Sequence, residues 1–177
     1  MEYKKWERWE LIGLFLTIAA GNLLHFVYDW SGGSPVAAVF SAVNESVWEH
    51  MKLLAVPWLV WTAVELAALR GVAGLLSART AGLVTGLLLI PALYYTYTGA
   101  LGSNSSLVNI LIFQLAVLAA FAVTRCVKRS GMLCGLVWQI LAALLLVVLA
   151  VLFFRWTFEP PQAPLFVDPV TGLAGIA

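Results

Sequence analysis

Charge is scarce in this sequence. Lysine, arginine, aspartate and glutamate make up 11% of the residues, with 10 basic against 9 acidic and a formal net charge of +1. So small a polar complement cannot cover a water-soluble globule. The even balance also leaves no basic tract of the sort that holds nucleic acid or anionic lipid, which excludes nucleic acid as a partner recruited by charge. Cysteine is nearly absent: Cys126 and Cys134, the only 2, flank a basic loop. They are too few for a disulfide framework, and on the orientation argued below they are reduced cytosolic thiols. There are 2 histidines, the zinc-protease pattern HExxH is missing, and no internal repeat of the kind that builds two-halved transporters stands out. Polar residues do not form a continuous line through the apolar stretches, which counts against a proton pump or an ion channel.

Hydrophobicity is what the chain has in quantity. Apolar residues reach 62% and the mean hydropathy is +0.94. A helix needs roughly 20 apolar residues to cross about 30 Å of hydrocarbon. Such stretches fall at Glu10 to Tyr28, Asn44 to Leu69, Thr80 to Ala100, Leu107 to Thr124 and Met132 to Trp156. The reading is an all-α polytopic membrane helix bundle of about five spans. The first apolar run outlasts a signal peptide and carries no small-residue cleavage pattern, so it is expected to stay as a span. The connections Arg70 to Arg79, Leu101 to Ser106 and Arg125 to Gly131 are short. Asp29 to Val43 is longer: Trp30-Ser31-Gly32-Gly33 makes a turn, Ser34-Pro35 starts a helix, and Val36 to Val43 is apolar but too short to cross. That segment reads as a short re-entrant or interfacial helix between spans one and two. Gly82-x-x-x-Gly86 and Gly131-x-x-x-Gly135 are expected to let helices approach closely, and Pro57 and Pro91 to kink their spans.

Basic residues set the orientation. Lys4, Lys5, Arg8, Arg70, Arg79, Arg125, Lys128 and Arg129 fall on one side, and only Lys52 and Arg155 on the other. Because lysine and arginine favour cytoplasmic loops, the N-terminus is expected in the cytoplasm and the C-terminus outside, in a multi-pass protein of the cell membrane. Trp30, Trp48 and Trp156 then fall at an outer aromatic belt, and Trp6 and Trp9 at an inner one.

The polar residues gather at the outer helix ends. In span one Asn22, His25 and Asp29 lie within about 60° of one another on the helix and make one stripe. Span two opens on Asn44-Glu45-Ser46-Val47-Trp48-Glu49-His50-Met51-Lys52, where Asn44 suits an N-cap and the glutamates suit the helix dipole. A Glu49 to Lys52 ion pair at i, i+3 would satisfy those two charges without chemistry. Ionisable groups inside a span are costly and usually face a partner in the bundle, so His25, Asp29, Glu45, Glu49 and His50 are the candidate acid-base residues. His25, Asp29, Glu49 and His50 are the candidate ligands of a divalent metal such as zinc. Asn22, Asn44, Tyr94, Tyr97, Asn109, Gln114 and Arg155 are the candidate pocket lining. By helical angle, Asn109 and Gln114 stand about 140° apart, so one of them at most should face a shared cavity. The tail from Phe158 breaks helix at Pro160-Pro161 but keeps Leu165, Phe166, Val167, Leu173 and Ile176, residues wasted in water. It is expected to fold over the outer face as a plug or as a lid, a unit distinct from the bundle of residues 1–157. Asn44-Glu45-Ser46 and Asn104-Ser105-Ser106 match the glycosylation sequon, a triplet common by chance.

The segments LLHFVYDWSG (Leu23 to Gly32), FSAVNESVWEHMKLL (Phe40 to Leu54) and TFEPPQAPLFVDPVTG (Thr157 to Gly172) resemble a family of small prokaryotic membrane proteins known only as a domain of unknown function. The resemblance implies a multi-span membrane protein and brings no reaction. His25, Asp29, Glu49, Pro57 and Trp61 form a looser pattern that looks like the emopamil-binding sterol isomerase group, which implies an intramembrane cavity with acidic and imidazole groups. The functional expectation is a membrane enzyme acting on a lipid or isoprenoid substrate at the outer leaflet. A small-solute binding or transport subunit, and an assembly partner of another membrane protein, are the alternatives.

Overall fold

The computed structural model describes residues 2–176, with side chains from residue 5 onward. Lys4, one of the residues used for orientation, lies outside the described side chains. Six α-helices follow in order: α1 Glu2–Trp30, α2 Pro35–Phe40, α3 Val47–Ala68, α4 Leu75–Leu101, α5 Ser106–Ser130 and α6 Leu136–Phe158, then a 3-10 turn at Pro164–Phe166. Among the described residues 5 helices are long and apolar enough to cross a membrane, α1 (from Lys5), α3, α4, α5 and α6. The chain is thus an all-helical membrane bundle, with the short helix placed between the first two spans.

The ring α1, α3, α4, α5 closes where α1 meets α5, while α6 packs outside against α4. Two glycines let α4 and α5 approach closely. Gly82 and Gly86 of α4 lie against the carbonyls of Ala120 and Ala116 of α5, leaving no room for a β-carbon. The second expected pair does otherwise. Gly131 ends α5 in the left-handed conformation (φ 69°) and Gly135 caps the start of α6, so both serve the turn rather than a helix seam. Pro57 and Pro91 lie inside α3 and α4.

The segment expected to be the loop Arg70 to Arg79 is shorter than that. Helix α4 begins at Leu75, so Arg79 lies more than a turn inside the helix and is fully buried. Its charge made it look like a loop residue, but two carboxylates in the bundle supply its partners, as described below.

At the end of the bundle that carries the C-terminal tail, α2 is tied down from inside. Lys52 of α3 donates to the Ala38 carbonyl at 2.7 Å and to the Thr157 hydroxyl at 2.7 Å, and pairs with Glu49 at 2.6 Å. The Glu49 carboxylate also accepts from the Val43 amide at 3.1 Å and from Thr157 at 3.2 Å. These contacts bind α2, α3 and α6 together around a pair with no exposure to speak of. Phe166 of the tail packs against both Trp48 and Trp156, which also touch each other, and an isolated bridge joins Val167 to Ala174. Asn44 donates to the Gly175 carbonyl at 2.9 Å. Asp168 accepts from the Val170 and Thr171 amides at 2.7 and 3.3 Å. Burial opposes its charge, yet those amides and the Glu45 backbone outweigh it and hold the carboxyl below its usual range.

Candidate functional site

Each member of the site stands where an element ends. Helix α1 carries His25 near its last turn, and α3 starts at Val47 with Ser46 as N-cap accepting from the Glu49 amide at 3.4 Å. That cap places Glu45 just before the helix and His50 one turn in. Glu45 consequently reaches both imidazoles: His25 Nε2 is 3.4 Å from its Oε1, and His50 Nε2 is 3.6 Å from its Oε2. The two rings lie 5.3 Å apart. One donor atom from each of the three residues falls within 4.8 Å of the others.

The hydrogen bond behind His50 decides what the cluster presents. His50 Nδ1 is 2.9 Å from the Ser46 carbonyl. A carbonyl only accepts, so Nδ1 carries the hydrogen and Nε2 of the neutral ring turns a lone pair toward Glu45. A lone pair facing a carboxylate is repulsive unless a cation stands between them. A proton or a metal ion would supply one, and holding the far nitrogen on a backbone carbonyl is the usual way of orienting a ligating histidine. The tetrahedral geometry of zinc, with ligands at about 2.0–2.1 Å, separates neighbouring ligand atoms by about 3.4 Å. Each imidazole stands near that separation from one carboxylate oxygen, His25 from Oε1 and His50 from Oε2, and the set taken with one donor per residue lies within 4.8 Å.

A cavity of about 390 Å³ opens beside the cluster, lined by Asn22, His25, Glu45, His50, Asn109 and Phe113 among others. Small size at Gly21 gives part of the room, since a β-carbon there would strike Phe113. Phe26 of α1 and Ile110 of α5 also line it and are half exposed on the bundle's outer surface, while Asn104, Ser106 and Val170 line it and are exposed at the end that carries the tail. Val170 of the tail reaches the same cavity. A smaller space of about 20 Å³, lined by Tyr94, Glu45, His50 and Asn109, shares the last three of these with the larger cavity and reaches α4.

The sequence-derived candidates therefore separate. His25, Glu45 and His50 come together. Asp29 is exposed and has no place in the donor set. Glu49 turns the other way into the Lys52 and Thr157 network, which already fills both its oxygens. Asn22 and Asn109 line the cavity. Gln114 does not line it but donates to Asn22 at 3.5 Å, while Tyr97 donates to Asn109 at 2.5 Å and is 2.8 Å from Asn104. Tyr94 lines the smaller space. Asn44 holds the tail, and Arg155 is exposed and paired with Glu159 at 3.8 Å, outside the cavity. Sequence reasoning passed over Asn104, Ser106, Phe113 and Val170. Asn104 and Ser106 were visible only as a sequon, and Phe113 and Val170 are apolar residues that no pattern separates from packing.

An all-helical bundle with five helices long and apolar enough to cross a membrane defines the class as a polytopic membrane protein, and its half-buried imidazole and carboxylate cluster lies beside a cavity near one end. The chain belongs to a family of unknown function (DUF6512), whose model matches residues 1–176. No curated protein and no solved structure matches it, so the sterol-isomerase likeness rests on its five residues alone.

Proposed function

We propose that this protein is a membrane-embedded enzyme that holds a divalent metal such as zinc on His25, Glu45 and His50 and acts on a lipid-like substrate in the adjoining cavity. The observation that carries the reading is the convergence of three donors, with His50 fixed through Ser46 so that its lone pair faces Glu45. Three protein ligands leave a fourth position free, the arrangement of catalytic rather than structural zinc. A metal held there would act as a Lewis acid on a carbonyl or phosphoryl oxygen and lower the pKa of bound water. The side chains of Asn22 and Asn109 can orient the polar part of a substrate, while Phe26, Ile110 and Phe113 surround its apolar part. The exposed apolar side chains of Phe26 and Ile110, which line the cavity from α1 and α5, favour a substrate with an apolar part that arrives through the bilayer. On the distribution of basic residues this end of the bundle faces outward, so the substrate would be drawn from the outer leaflet.

Metal analysis of protein purified without chelator or histidine tag tests the reading. Near-stoichiometric metal in the wild type, lost in His25→Ala and His50→Ala, is expected, together with a changed lipid profile in cells carrying Glu45→Gln. Folded wild type without metal, joined to an unchanged lipid profile in all three variants, would sink it. A second reading is a solute-binding subunit, favoured by the hydrogen-bonded Tyr97, Asn104 and Asn109 at the cavity rim. It predicts thermal stabilisation by a small polar solute without turnover.

A further inference from the structure

A second set of charges lies at the opposite end of the bundle, and its bonding differs from that of Glu49 and Lys52. Glu10 of α1, Glu65 of α3 and Arg79 of α4 are fully enclosed. Arg79 Nη1 is 3.4 Å from Glu10 Oε1, and its Nε is 3.4 Å from Glu65 Oε2. The guanidinium is stacked on Trp58, 3.8 Å from the ring centroid, with Phe121 on its other flank at 4.9 Å. Its Nε donates to the Thr62 hydroxyl at 3.1 Å. Hydrogen bonding to the set is sparse: neither oxygen of Glu65, nor Glu10 Oε2, nor Arg79 Nη2 has a hydrogen bond of good geometry. The indoles of Trp6 and Trp61 stand beside the two carboxyls, and the carboxyls lie next to each other.

One guanidinium cannot neutralise two carboxylates. With both ionised, the enclosed triad would carry a net negative charge inside the bundle, and two acceptors would face each other with no hydrogen between them. A proton on one carboxyl removes the charge and supplies the missing donor. We propose that Glu10 and Glu65 share one proton at neutral pH, which makes the triad a buried proton-binding site at the N-terminal end of the bundle. The surrounding charges do not replace that proton. Helix α5 contributes Arg125, which acts on Glu10 from the rim but is 42% exposed and sits 3.8 Å from Glu7, its nearer carboxylate. Arg129 also pairs with Glu7 and is 55% exposed, and Lys128 lies over the Trp6 ring. Among the described residues, no further titratable side chain of α1, α3 or α4 forms an ion pair or hydrogen bond with the triad. A shared proton of this kind is a single exchangeable charge, available to couple a helix rearrangement to pH at this end of the molecule.

Infrared spectroscopy of the whole chain in lipid at neutral pH reads the proton directly. The expected result is the C=O stretch of a protonated carboxylic acid, shifted in heavy water, that disappears in Glu65→Gln and equally in Glu10→Gln, because either change leaves one carboxylate opposite one guanidinium. Glutamine mimics the neutral acid, so at least one of the two variants should keep the wild-type melting temperature within a few degrees. Absence of the band in the wild type overturns the proposal. So does a band that survives unchanged in both variants, since it would then belong to a carboxyl elsewhere, such as Glu45.

Discussion

Lys52 and Glu49 are both buried, yet every polar atom of the pair has a partner. Removing one member leaves the other charge enclosed without compensation, at a cost of about 3–5 kcal/mol. Lys52→Met should therefore destabilise the chain by that amount in a reversible unfolding assay in detergent. Adding Glu49→Gln to Lys52→Met should recover a large part of the loss, because the remaining amide can still meet Val43 and Thr157. A full-cost double variant would contradict that account. Asp168 gives the pH dependence of the tail. Its carboxyl is held below the ordinary range, so its contribution is fully present above the usual carboxylate pKa of about 3.9 and is lost as pH falls through the lower, folded value. Tryptophan emission, reporting on Trp48 and Trp156 around Phe166, should stay constant from neutral pH down to about 5 and change only below about 4. Asp168→Ala should show the altered emission already at neutral pH, having lost hydrogen bonds to a charged group typically worth about 2 kcal/mol.

Helices α4 and α5 meet through Gly82 and Gly86, where a β-carbon would overlap Thr124 and Leu54 as well as backbone. Gly82→Leu should force the seam apart and lower stability by about 1–3 kcal/mol or more, measured as a drop in melting temperature. The same change at Gly131 lies in open space and should cost only the left-handed backbone strain. The contrast shows how far spacing carries. Two glycines four apart are equally compatible with a helix seam and with a turn that they bracket, and only the partner helix tells them apart. The short helix α2 was legible because Ser34-Pro35 starts a helix and the apolar run behind it is too short to cross. That Lys52 would anchor it through the Ala38 carbonyl was not, because the two residues meet only after α1 turns back into α3.

For the whole molecule, orientation is open to a direct test. Cys126 is free and exposed near the end of α5, at the N-terminal end of the bundle. If the basic residues mark the cytoplasm, a membrane-impermeant thiol reagent should leave it unmodified in intact cells and label it after the membrane is broken, whereas a Val170→Cys variant should react in both. Labelling of Cys126 in intact cells would reverse the topology and move the proposed substrate to the inner leaflet.

Composition and the length of the apolar runs determined the membrane class, the number of long helices and the short helix after the first span. These follow from hydrocarbon thickness and from the need to bond every backbone amide within the segment. Local pattern also brought His25, Glu45 and His50 under suspicion, since ionisable groups near span ends stand out against an apolar background. Which carboxylate would join the imidazoles was a matter for tertiary structure. Glu45 and Glu49 are one helical turn apart and chemically equal, and only the positions of His25, Lys52 and Thr157 on other elements assign one to the cavity and the other to the core. Arg79 depended on tertiary structure still more. By charge it belongs in a loop, and it is tolerated inside the bundle because Glu10, Glu65, Trp58 and Phe121 converge on it from three other helices, a coincidence in space that no spacing along the chain records.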